Sequence, residues 1–255
     1  MRNLLIGAIS GNYETKDVQR WVESSDLIDA TRVLFLYNDK NDDLKNYILS
    51  KGIDVIIPTH DAYGRSVNDF ETDTGKMTIE SSYNLVHNIR FYHLWQFLSE
   101  NEGSFDKVMI TDVRDVYFNT DPFKKIPSDK IIASSEVIKY VDEDWNKRHL
   151  YTNLTMIGVE TIMDKEVYNV GVFGGSSQLV SDISKDIYLF SVGKPLVADQ
   201  TSFNYLIQTL YKDKVVFTGI EDKFAVHLHV VAAGKVKFDL STISEYSVVH
   251  QYDRL

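Results

Sequence analysis

Lys107-Val108-Met109-Ile110-Thr111-Asp112-Val113-Arg114-Asp115-Val116-Tyr117-Phe118 joins an apolar run of strand length to an acid, with a second acid three residues on. Carboxylates at the end of a buried strand are costly unless something cationic lies between them. A divalent metal holding a diphosphate meets that need. The local alternative is that Asp112 caps a turn and Asp115 pairs with a surface lysine. Spacing alone does not separate the two.

Upstream of this stretch, strand and helix patterns alternate. Leu4 to Ile9 reads as a first strand, Asp17 to Ile28 as a helix, and Arg32 to Tyr37 as a second strand. Asp42 to Ser50 reads as a short helix closed by Gly52, and Ile53 to Ile57 as a third strand stopped by Pro58. Thr59 to Met77 has no clear period and reads as a long loop, the kind that serves function or mobility; it is expected to be mobile and to order near a bound ligand. A helix capped by Ser81 or Ser82 runs to Leu98, and Lys107 to Thr111 is the fourth strand. Such alternation predicts βαβ units, an α/β fold and a mostly parallel sheet flanked by helices.

Downstream, the pattern is mixed. Ile131 to Ala133 reads as a short strand, Ser135 to Leu150 as a largely polar helical region, and Glu166 to Phe173 as a strand running into Gly174-Gly175. Helical spacing returns at Leu179 to Phe190 and at Phe203 to Leu210; Val215 to Phe217, Val236 to Phe238 and Tyr246 to His250 read as late strands. With no repeat or linker, residues 1–255 are expected to form one domain.

The chain is 44% hydrophobic, enough for a sizeable core, and its formal net charge of -10 argues against bulk binding to nucleic acid or anionic membrane. Lacking cysteine, it has no disulfide, thiolate metal site or cysteine nucleophile. The first apolar run is too short for a secretory signal, and no stretch approaches the ~20 apolar residues of a membrane span. A soluble, cytoplasmic protein is expected, and the Asn153-Leu154-Thr155 sequon reads as chance.

Ligands of an open parallel sheet sit beyond the carboxyl ends of its strands, where Asp112 and Asp115 fall. Hard oxygen donors suit Mn²⁺ or Mg²⁺, and His250, closing a late apolar strand, can complete such a site. Asn169-Val170-Gly171-Val172-Phe173-Gly174-Gly175 ends a strand with glycines that allow close backbone approach. Ala198-Asp199-Gln200 precedes an amphipathic helix, of which Asp199 can also be the N-cap.

In this order, joined by Ser134-Ser135-Glu136 and Trp145-Asn146, these segments resemble the GT-A class of nucleotide-sugar-dependent glycosyltransferases. The nearest likeness is to small transferases, viral capsid-glycan enzymes among them, that carry an aspartate-x-arginine-aspartate form of the DxD motif. The resemblance implies a Rossmann-like GT-A domain, with a nucleotide-binding half in 1–118 and an acceptor-binding, metal-completing half in 119–255, that moves a sugar from a nucleoside-diphosphate donor, UDP by class frequency, to a hydroxyl of a glycan or glycoprotein acceptor. It implies Mn²⁺ or Mg²⁺ held by Asp112, Asp115 and His250. Ala8, Ser10, Asn12 and Tyr13 match the loop that holds base and ribose, Arg90 the helix arginine that reaches sugar or diphosphate, and Asn169 and Gly171 the wall of the donor sugar. Asp199 and Gln200 match the acceptor-side acid and amide near the anomeric carbon, with Asp199 the base if configuration inverts. Arg114 departs from the usual DxD spacing: it turns inward to a phosphate or a neighbouring acid, or it is solvated.

Three other readings remain. A nucleotidyltransferase normally opens with a basic glycine-rich loop, whereas Ser10-Gly11-Asn12-Tyr13-Glu14 has one glycine and no basic pair. A metal-dependent hydrolase would use His227 and His229, which alternate and, on a strand, face the same way; solvated strand positions explain them more simply. A nucleotide-sugar-binding module without catalysis is the third.

Overall fold

The computed structural model describes residues 2–10, 13–38, 41–73 and 79–255, and the backbone alone at 79 and 80. The first half comprises β1 (Asn3–Ser10), α1 (Thr15–Ser24), β2 (Thr31–Tyr37), α2 (Asp42–Ser50), β3 (Asp54–Ile56), α3 (Ile79–Tyr83), α4 (Val86–Glu100), β4 (Lys107–Thr111) and β5 (Val116–Phe118). The second comprises β6 (Ile131–Lys139), α5 (Asp144–Asn153), α6 (Met156–Ile162), β7 (Glu166–Ser176), α7 (Ser177–Ser191) and α8 (Asp199–Gln208). It closes with β8 (Val215–Thr218), β9 (Ala225–His227), α9 (His229–Ala232) and β10 (Val248–His250).

Seven strands form a mixed, mostly parallel sheet in the order β3-β2-β1-β4-β7-β6-β8. β1 pairs in parallel with β2 and β4, and β7 runs antiparallel between β4 and β6. The near-continuous apolar runs of β1, β2 and β4 follow from burial on both faces. Alternate side chains go to opposite cores: Leu4, Ile6, Val108 and Ile110 meet α4 and α7 through Ile89, Leu94 and Ile183. Leu5 and Met109 point the other way, onto α1 and α2 through Val18, Trp21, Leu44 and Ile48. A second, three-stranded sheet has the order β5-β10-β9.

The chain leaves β1 for β2 and β3 on one side, then returns to place β4 on the other. The crevice of an open α/β sheet lies at such a reversal, beyond the carboxyl ends of β1 and β4. Gly7 makes the approach possible: a Cβ there would lie 2.5 Å from Val113 Cγ2 and 3.2 Å from Trp21. Trp21 in turn donates its indole N–H to Thr111 Oγ1 at 2.8 Å, fixing the strand end just before Asp112.

Three expectations for the second half are corrected. β6 continues from Ile131 to Lys139, and helix begins only at Asp144, so the polar stretch after Ser135 is strand first. Pairing with β7 carries it on, despite register shifts after Ala133 and Ser135. Val236 to Phe238 is not a strand; Val236 and Phe238 pack a loop onto two of the cores. His227 and His229 do not share a strand, and neither is a solvated strand position: His227 closes β9, buried, and His229 opens α9, partly buried.

From Thr59 to residue 73 the chain forms neither helix nor strand, as expected, yet it is anchored. His60 bridges to Ser66, Glu71 bridges to Leu85, and Phe70 is buried where Asn38 bonds both its backbone groups. Residues 74–77, the end of that loop, lie outside the described residues. Among the described residues no helix is long and apolar enough to cross a membrane.

Candidate active site

A cleft of about 660 Å³ opens at the reversal point. Ala8, Ser10 and Tyr13 line it from the end of β1, Arg90 from α4, and Asp112, Arg114 and Asp115 from the β4–β5 turn. Asn169 and Gly171 reach it from β7, Asp199 and Gln200 from the start of α8, and His250 from the end of β10. Asn12 lies outside the described residues. Every other residue assigned to a site from the sequence therefore meets in one cavity.

Asp112, Asp115 and His250 form the group able to hold a metal ion among the described residues; one donor atom from each lies within 4.8 Å of the others. His250 Nε2 is 3.5 Å from Asp112 Oδ2 and 3.7 Å from Asp115 Oδ1. That nitrogen is buried with no hydrogen-bond partner among the described residues. An orphaned imidazole nitrogen facing two carboxylates is a donor set that fits Mn²⁺ or Mg²⁺. On its other edge His250 Nδ1 meets Nδ1 of the buried His227 at 3.0 Å. Burial, then the neighbouring His250 and His229, hold His227 neutral, well below the ordinary histidine range. Neither His227 nor His229 belongs to the metal-competent group.

The two aspartates are electrostatically unequal. Burial works against ionisation of Asp112, but the Arg90 guanidinium and His250 outweigh it and hold this carboxyl well below its usual range. Burial pushes Asp115 up, and repulsion from Asp112 adds to it despite His250. A cation between them would relieve both costs. Backbone contacts set their positions: Asp112 N–H donates to the Gly171 carbonyl at 2.7 Å, and the Asp115 carbonyl accepts from Gln251 N–H at 2.7 Å.

Arg90 joins distant elements, donating from Nη1 to Asp112 Oδ1 at 2.6 Å and from Nη2 to Asp199 Oδ2 at 3.1 Å. Asp199 Oδ1 accepts from the Gln200 N–H at 2.8 Å, so both its oxygens are engaged. Gln200 donates to Asn146 Oδ1 at 2.9 Å and to Glu136 Oε1 at 3.3 Å. Arg114 turns to Asp253, its Nη2 lying 3.0 Å from Oδ2.

The cleft also holds residues to which no role was assigned from the sequence, Glu136, Glu143, Trp145, Asn146 and Gln251, and His229, read there only as one of a histidine pair. Glu136 is the lone acid of β6, but its stretch reads from the sequence as helical, so its strand position was not legible. His229 stood out only as one of a histidine pair; its place in the cleft depends on where β9 ends. No family model matches the chain, and no curated protein matches it.

Proposed function

We propose that the chain is a metal-dependent glycosyltransferase that moves a sugar from a nucleoside-diphosphate donor, UDP in the first instance, to a hydroxyl acceptor such as a glycan. The observation that carries this reading is the Asp112, Asp115 and His250 cluster, with its unpartnered imidazole nitrogen, at the crevice where β1 and β4 diverge. A bound Mn²⁺ or Mg²⁺ supplies Lewis-acid neutralisation of the charge that grows on the departing diphosphate. Asp112, Asp115 and His250 would hold it.

The remaining chemistry belongs to the chain's own groups. Ala8, Ser10 and Tyr13 line the end of the cleft nearest β1, where a base and ribose fit. Arg90 is a fixed, buried cation beside Asp112 and adds a second positive centre for the diphosphate. Gly171 lets the donor sugar approach the backbone, and Asn169 orients that wall by accepting the Gly171 N–H at 2.7 Å. Asp199 keeps Arg90 in place.

Titration of the protein with UDP, GDP and CDP sugars in Mn²⁺, followed by assay of nucleoside diphosphate release, tests the proposal. Wild type is expected to bind one nucleotide class only with metal present and to release the diphosphate. Asp115→Ala should abolish metal-dependent binding with little change in thermal stability; unchanged nucleotide affinity in that variant would sink the metal assignment. Binding without turnover, with acceptor screens also silent, would point to a binding module. Pyrophosphate release from a nucleoside triphosphate and a sugar phosphate would point to a nucleotidyltransferase.

A further inference from the structure

Glu136 is 1% exposed and lines the cleft. Its Oε1 accepts from Asn169 Nδ2 at 2.7 Å and from Gln200 Nε2 at 3.3 Å. Its Oε2 is buried with no hydrogen-bond partner among the described residues and lies 3.3 Å from His229 Nε2, an ion pair when that ring is protonated; Glu136 favours the charged ring against its burial. The next residue, Val137, has φ +58°, a conformation that a β-branched side chain rarely adopts and that stores backbone strain. Ser135 Oγ holds this kink by accepting the Val137 N–H at 2.8 Å, at the point where the register of β6 against β7 shifts. Strand irregularities of this kind re-aim side chains beside active sites.

The other carboxylates that line the cleft are committed. Asp112 and Asp115 belong to the metal-competent group with His250, and Asp112 also pairs with Arg90. Asp199 is held by Arg90 and the Gln200 N–H, and Glu143 by the Asn146 N–H and Lys235. Gln200 links Glu136 to Asn146, and the residue before Asn146, Trp145, lines the same cleft, half exposed and stacked on His149 at 3.8 Å between ring centroids. A flat indole face next to hydrogen-bonding amides and acids suits a pyranose ring, apolar on its C–H face and polar at its rim.

We propose that Glu136 is the catalytic base of this site, its Oε2 taking the proton from a hydroxyl of a pyranose acceptor that stacks on Trp145. The proposal rests on the glycosyl-transfer reading of the cleft. In the step, the acceptor O–H proton passes to Glu136 Oε2 as the acceptor oxygen forms its bond to the anomeric carbon. The bond from that carbon to the diphosphate oxygen breaks, and its electron pair leaves with the nucleoside diphosphate. Attack opposite the leaving group inverts the anomeric configuration.

The test uses the full chain with Mn²⁺, the nucleotide sugars above, and water or methyl pyranosides as acceptors. Glu136→Gln keeps the oxygen that Asn169 and Gln200 need, and is expected to lower nucleoside diphosphate release about 100-fold or more with nucleotide affinity unchanged. Formate should restore part of the rate to Glu136→Ala. Trp145→Ala should raise KM for the methyl pyranoside. Proton NMR of the released sugar should show the inverted anomer. Turnover near the wild-type rate in both Glu136 variants, or a retained anomer, overturns the base while leaving the donor reading standing. A wild type that binds donors but releases nothing also overturns it. A wild type that binds no nucleotide sugar removes the donor reading and the base together.

Discussion

Gly171 shows how much of this site depends on one missing side chain. A Cβ there would press onto Asp112 Oδ2, 2.8 Å from its Cγ and 2.9 Å from Asn169 Oδ1. Gly171→Ala must therefore displace the Asp112 carboxylate or the β7 backbone. Mn²⁺ affinity measured by titration is expected to fall about 10- to 100-fold, as when the support of a metal ligand is disturbed. Overpacking should also cost about 1–3 kcal/mol of stability. Unchanged Mn²⁺ affinity would mean that Asp112 is not a ligand. The acids and His250 were legible because polar groups ending apolar strands stand out against their surroundings. Their division of labour was not. Arg90 depresses Asp112 and leaves Asp115 raised, and Arg90 comes from α4, which no local pattern ties to β4.

Helix α4 carries a second contact with a measurable consequence. His93 Nε2 donates to the His60 carbonyl at 2.9 Å, so its Nδ1 accepts from the Tyr37 hydroxyl at 2.8 Å. A neutral ring thus fastens the 59–73 loop to α4 and β2. Burial pushes His93 down to about 4, which opposes protonation in the folded state. The unfolded chain, with an ordinary histidine near 6.5, takes up the proton first, so stability falls as pH drops from about 6.5 to about 4. The full effect is about 3 kcal/mol for a group with a pKa of about 4. Denaturant melts of wild type and His93→Gln over this range should converge at low pH by that order; parallel curves would rule the linkage out. Elements with sustained periodicity were legible: α2 and β4 have the predicted limits. β6 was not, because its outer half is polar and strained, and its strand character comes from β7 rather than from its own residues.

The cleft draws walls from β1, α4, the β4–β5 turn, β6, β7, α8 and β10, so a ligand there braces both halves of the chain. Mn²⁺ with UDP at about 100 times the dissociation constant should stabilise the fold by about 2.7 kcal/mol. For a chain of this size that corresponds to a rise of roughly 5–10 °C in Tm. Calorimetry should show one shifted transition, reversed by EDTA; a shift that survives EDTA would separate nucleotide binding from the metal. By itself the sequence determined the α/β class, the parallel first half and the acids at the end of β4, because burial on both faces writes itself into consecutive residues. Only the tertiary structure decided that Arg90 grips Asp199 across 109 residues, that His250 leans on His227, and that Glu136 enters the cleft through a kinked strand. Periodicity records what lies above and below a residue in its own element. A site is made where elements far apart in the chain converge, and that convergence follows from the packing of the whole sheet.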